Sequence, residues 1–106
     1  MALAAHQNWL VDFYQRRNWF QLSPFIRVNF LTEEVGELSR AVRALEIGRH
    51  HPGEPAVTPA AARANLVEEL GDCLDQLLVI CAKFEVTPDE IIQASEHKMK
   101  QRFHEL

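Results

Sequence analysis

An all-α fold is predicted for this chain: a four-helix bundle-like protomer with two long central helices, oligomerising through helix packing. Three observations predict it. Helix breakers are confined to few places, capping pairs stand at the head of long uninterrupted segments, and apolar residues recur at alternating steps of three and four. Prolines and glycines cluster in 48–59, and elsewhere the punctuation is chiefly Ser23-Pro24 and Thr87-Pro88, which leaves four long segments.

The first segment carries Leu3, Leu10, Phe13, Tyr14 and Arg17 as a weak stripe that ends near Asn18 and Trp19. The second opens on Ser23 as N-cap with Pro24 at the first helical position, and it stops at Gly48, a natural C′ residue. Within it Val28, Leu31, Val35, Leu38, Val42 and Leu45 form a seam. The third opens on Thr58-Pro59 and repeats the seam with Val67, Leu70, Leu74, Leu77, Cys81 and Phe84, so the two long helices are expected to pack side by side. The fourth opens on Thr87-Pro88, with Glu90 completing a T-x-x-E capping box. Its stripe is Ile92, Ser95, Met99, Phe103 and Leu106.

The 106 residues fit a single domain, 1–106, with room for one modest core. Helices of about 24 residues are some 36 Å long and overhang a core of this size, whose radius of gyration is near 13 Å. Leu78, Val79 and Ile80 add apolar surface off the seam, which fits burial against a second copy; a homodimer or a dimer of dimers is expected. A formal charge of −4 argues against nucleic acid and against a polybasic membrane surface as partners. No apolar run reaches the ~18 residues of a membrane span, and the amino terminus does not have the pattern of a signal peptide. On one helix Cys73 and Cys81 would stand about 12 Å apart along the axis, too far for a disulfide, which points to a reducing, cytoplasmic setting.

The chemistry is concentrated in a repeated hexapeptide. Glu33-Glu34-Val35-Gly36-Glu37-Leu38 and Glu68-Glu69-Leu70-Gly71-Asp72-Cys73 both read acid-acid-apolar-Gly-acid-apolar. Helical spacing pairs Glu34 with Glu37 and Glu69 with Asp72, so adjacent helices would make a four-carboxylate pocket. Each glycine costs about 1 kcal/mol in a helix interior, a cost accounted for if a helix or a ligand must come close. Carboxylates about 5 Å apart repel by ~3 kcal/mol per pair at an effective dielectric of 20, so the pocket calls for a counter-charge. All-oxygen ligands suit Mg²⁺ or Mn²⁺, and no histidine stands three residues after an acid as di-iron bundles require. A single E-E-x-x-E is more often a solvated face; the duplication with matched glycines turns the balance toward a site.

These residues resemble the signature of the MazG-like all-α nucleoside triphosphate pyrophosphohydrolases, E-E-x-x-E followed by E-x-x-D on the next helix, here Glu33-Glu34-x-x-Glu37 and Glu69-x-x-Asp72. The resemblance covers about three quarters of the chain. It implies cleavage of a nucleoside triphosphate between its α- and β-phosphates, giving a monophosphate and pyrophosphate, in a house-cleaning role on noncanonical or surplus nucleotides. It further implies that Glu34, Glu37, Glu69 and Asp72 hold Mg²⁺, with Mn²⁺ as a possible substitute, and that Glu33 is a further ligand or orients the attacking water. Glu33 and Glu34 are accordingly the catalytic candidates. The same superfamily includes phosphoribosyl-ATP and dUTP or dCTP pyrophosphatases, and a reading from another class is a non-catalytic metal-binding helical adaptor.

Lys98 and Arg102 share a face of the last segment and are candidates for phosphate contact; the alternative is a solvated basic face at a helix end. Trp9 and Trp19, with Phe20, are candidates for stacking on a base, core packing being the alternative. His50 and His51 lie in the 48–59 loop, in reach of a ligand or of solvent, and Cys73 is expected to pack and not to act as a nucleophile.

Overall fold

A computed structural model describes residues 2–103. It is all-helical, with four helices and no strand among the described residues: α1 (Leu3–Arg16), α2 (Pro24–Ile47), α3 (Pro59–Lys83) and α4 (Pro88–Phe103). The boundaries follow from the capping residues. Ser23 Oγ accepts from the Ile26 N–H at 3.4 Å, Thr58 Oγ1 from Ala61 at 3.1 Å, and Thr87 Oγ1 from Glu90 at 3.2 Å. Each hydroxyl satisfies a donor that the first helical turn leaves without an intrahelical partner. The Thr87 hydroxyl also lies 3.3 Å from Glu90 Oε1. At the other end of α2, Gly48 takes φ 77° and donates to the Ala44 carbonyl at 2.8 Å, a left-handed stop that a side chain would strain.

The described residues up to Leu22, together with those from Leu78 onward, form one compact unit, and residues 23–77 form a second. The first contains α1, the end of α3 and α4. Its core is Leu10, Leu78 and Val79, the last two 2% and 0% exposed, with Tyr14 and Phe20 packed against them. Gln7, also buried, donates from Nε2 to the Leu78 carbonyl at 3.0 Å and to that of Val86 at 3.4 Å, which ties α1 to the end of α3. Lys83 donates from Nζ to the Phe20 carbonyl. Leu78 and Val79 are thus consumed inside the chain and are not the surface offered to a second copy, as the sequence suggested; only Ile80 stays partly open. Their deep burial reflects α1, whose weak stripe gave little sign of how firmly it would cover this end of α3.

The second unit contains α2, the loop to α3 and the greater part of α3. Its buried side chains are Ala41, Ala44 and Ala62, with Arg27. The seams expected to join α2 to α3 do not supply this contact. Val28, Val35, Val42 and Leu45 are exposed, as are Val67, Leu70, Leu74 and Leu77. Leu31 and Leu38 of the same α2 seam are half-buried, as is Cys81 of the α3 seam, so each seam is only partly covered within the chain. The fully buried apolar positions of this unit are alanines, which lie off the expected seams. The α4 stripe of Ile92, Ser95, Met99 and Phe103 is likewise exposed, and Leu106 lies outside the described residues.

Leu78→Ala should lower unfolding free energy in a denaturant titration by about 2–5 kcal/mol, as for other buried leucines. Gln93→Ala, on the exposed surface of α4, should change it by no more than about 0.5 kcal/mol.

Candidate metal centre

The two hexapeptides fall in the middle of α2 and α3, where a continuous backbone ladder fixes the direction of every side chain. Glu69 and Asp72, three residues apart, project from one face of α3, and Glu34 meets them from α2. One carboxylate oxygen from each of Glu34, Glu69 and Asp72 lies within 4.8 Å of the other two. Glu34 and Glu69 are half-buried and Asp72 is exposed, so the cluster has a protected floor and an open side.

Charge and burial act on these acids in the same direction. The Glu34 carboxyl is raised above its ordinary value of 4.5 by burial first, then by Asp72, Glu69, Glu37 and Glu33. Glu69 is raised by burial first, then by Asp72, Glu37 and Glu68. Glu69 Oε2 is buried and accepts no hydrogen bond. A buried carboxylate oxygen without a donor, on a residue whose carboxylate also meets two others, is poorly placed for an isolated protein and well placed for a ligand to a hard divalent cation. The donor set therefore fits such an ion. The nearby Cys73 thiol is raised from 9.0 by burial and by Glu34, Glu69 and Asp72, which keeps it protonated and unreactive. Both cysteines are free thiols.

The remaining candidates are placed differently. Glu37 does not join the three-oxygen group: it is exposed and lies 3.9 Å from Arg40, one turn on, though still near enough to raise Glu34 and Glu69. The pocket expected to hold four carboxylates thus brings three together, because Glu37 leans along α2 toward its own helix neighbour. Glu33 is exposed beside Glu34. A Cβ added to Gly36 or Gly71 would meet nothing within 4 Å, so neither glycine is required by close approach of another part of the chain. Lys98 and Arg102 are exposed on α4, in the other unit. In that same unit Trp9 and Trp19 are 54% and 45% exposed, so they are not core residues. Trp9 stacks on His6 and on Phe13, with ring centroids 5.9 and 5.2 Å away, and Trp19 meets Phe13 and Tyr14 edge-on.

Gln76 went unnoticed in the sequence. Its Oε1 is buried without a partner, and it stands four residues after Asp72, on the acidic face of α3. The signal was the continued spacing 69, 72, 76, which a neutral amide does not advertise.

Comparison with known proteins bears on this arrangement. The family model described as MazG nucleotide pyrophosphohydrolase domain matches residues 26–106, which include both hexapeptides. The chain belongs to the MazG nucleotide pyrophosphohydrolase family. It is also 41% identical over 103 residues to "Uncharacterized protein YvdC" of Bacillus subtilis (strain 168), covering 97% of each chain. No solved structure matches. The matched region spans both hexapeptides, and the three-carboxylate cluster is where α2 and α3 bring one acid of the first together with two of the second.

The raised carboxyls dictate a pH dependence. Both groups hold protons more tightly in the folded chain than in the unfolded one, so their contribution to stability is fully present below the unfolded value near 4.5 and is lost as pH rises through the raised folded values. In chelator at neutral pH, Glu69→Gln should therefore unfold at a higher temperature than the parent, and the difference should shrink as the pH is lowered to 4. Added Mn²⁺ should raise the midpoint of the parent more than that of the variant.

Proposed function

We propose that the chain is a Mg²⁺-dependent pyrophosphohydrolase that cleaves nucleoside triphosphates, ribo or deoxyribo, between the α- and β-phosphates. The products are a nucleoside monophosphate and pyrophosphate, and the role is removal of noncanonical or surplus nucleotides. The observation that carries this reading is the cluster of Glu34, Glu69 and Asp72, formed from both halves of the acidic motif in a chain of the MazG family.

A triphosphate and a carboxylate cluster repel each other, so a bound divalent cation would be needed to offset the charge of both. Glu34, Glu69 and Asp72 are assigned as the ligands, with Glu37 close enough to complete the set as a reorienting side chain. Mg²⁺, or Mn²⁺ in its place, supplies a Lewis acid that polarises phosphoryl oxygens and lowers the pKa of water. Glu33, exposed beside Glu34, is proposed as a further ligand or as the group that orients the attacking water. Lys98 and Arg102, both exposed on α4, are proposed as phosphate contacts whose charge would offset that of the substrate.

The exposed stripes of the 23–77 unit supply the partner. Val28, Val35, Val42 and Leu45 on α2, with Val67, Leu70, Leu74 and Leu77 on α3, are too much aliphatic surface to leave in water, and a second copy of the same chain is proposed to cover them. No described helix is long and apolar enough to cross a membrane.

Glu34→Gln and Glu69→Gln should each lower pyrophosphate release from a nucleotide panel by at least about 100-fold, since loss of a residue that merely supports a metal ligand already costs 10–100-fold. Helical content should be unchanged. A metal-binding protein without activity would instead show no release from the parent on any nucleotide. Sedimentation should give a dimer or tetramer for the parent, and Leu70→Glu combined with Leu77→Glu should shift it to monomer.

A further inference from the structure

Gln76 stands in an apolar stretch of α3, with Cys73 and Leu74 before it and Leu77, Leu78 and Val79 after it. Its Oε1 is buried, and no donor among the described residues reaches it. A buried acceptor without a donor costs free energy that an aliphatic side chain would not, so the amide calls for a partner from outside the chain. Its position narrows what that partner is. Gln76 follows Asp72 by four residues and Glu69 by seven, which continues their face of α3 by a turn. The carboxylates of Glu34, Glu69 and Asp72 meet at the start of that turn.

Another buried atom without a partner, His50 Nδ1, belongs to a different place. His50 lines a cavity of about 250 Å³ with Ala44, Val57, Ala61, Ala62 and Asn65. Asn65 precedes Glu69 by four residues, and the eleven residues from it to Gln76 span about 16 Å of α3. Cavity and amide therefore flank the acids from opposite ends, and a molecule in the cavity does not serve Gln76.

The acids cannot serve it either, since an ionised carboxylate only accepts hydrogen bonds. A cation held by them brings donors with it. Mg²⁺ dehydrates reluctantly and keeps several waters when carboxylates bind it, and the charge of the ion makes those waters strong donors. Residues four apart on a helix have Cβ atoms about 5–6 Å apart, a gap that one water bridges between two side chains. A neutral amide suits this place. A carboxylate would add charge to acids that already repel, and an aliphatic side chain would offer no acceptor.

We propose that Gln76 is a positioning residue of the metal centre, whose Oε1 accepts a hydrogen bond from water in the hydration shell of the cation held by Glu34, Glu69 and Asp72. The proposal rests on the reading of that cluster as a divalent-cation site. Gln76 touches neither the cation nor the substrate; it acts through the water, which it anchors to α3.

The test does not depend on turnover. Gln76→Met, which keeps the length of the side chain and removes the acceptor, is compared with the parent in the full chain. Mn²⁺ affinity is read from the EPR signal of the free ion, and thermal unfolding is followed in chelator. Affinity should fall about tenfold or more, as for other groups that support a metal site by hydrogen bonding. In chelator the variant should unfold at the parent's temperature or above it, because a buried acceptor without a donor has been removed. Gln76→Glu, which returns an acceptor together with a charge, should bind Mn²⁺ at least as tightly as the parent and unfold at a lower temperature in chelator at neutral pH. Unchanged Mn²⁺ affinity in Gln76→Met would overturn the proposal, and so would a lowered unfolding temperature of Gln76→Met in chelator, which would show that the amide serves the fold. Glu69→Gln in the same titration separates this proposal from the reading beneath it. If Glu69→Gln weakens Mn²⁺ binding and Gln76→Met does not, the role of Gln76 alone falls; if neither weakens it, the cluster is not the cation site and both fall.

Discussion

Three carboxylates held within 4.8 Å of one another by α2 and α3 are the constraint on which the rest of the molecule turns. Without a cation they repel, and burial of Glu34 and Glu69 adds a desolvation cost. The fold must supply the stabilisation that the cluster withdraws. It does so in the Leu10–Leu78–Val79 core and in caps at Ser23, Thr58 and Thr87 that secure three helix starts.

The inner face of the helix pair is consequently poor in large side chains. Ala41, Ala44 and Ala62 are its buried apolar residues, and they leave room for the acids in one direction and for the His50–Asn65 cavity in the other. Several leucines and valines of α2 and α3 are left exposed, among them Val35, Val42, Leu70 and Leu77. This is the aliphatic surface that the proposed second copy would cover.

Much of the helix architecture was legible in the sequence because it rests on local rules. Ser23-Pro24, Gly48, Thr58-Pro59 and Thr87-Pro88 mark boundaries through backbone hydrogen bonding alone, and the acidic spacing at 34, 69 and 72 fixes which side chains share a face. What the sequence could not disclose depends on contacts between distant segments. The burial of Leu78 and Val79 by α1, the exposure of Val28, Val35, Val42 and Leu45 on α2 and of Val67, Leu70, Leu74 and Leu77 on α3, and the withdrawal of Glu37 toward Arg40 all involve choices among partners of similar polarity. Gln76 and the cavity beside His50 escaped for a different reason: a single neutral polar residue carries no pattern until the fold surrounds it.

We propose that Glu34, Glu69 and Asp72 together hold a divalent cation. Crystals grown with Mn²⁺ and measured at a wavelength where manganese scatters anomalously should show a peak among these three carboxylates, within about 2.0–2.6 Å of at least two of their oxygens, as hard divalent cations require. A peak elsewhere, or none between α2 and α3 at saturating Mn²⁺, would overturn the assignment.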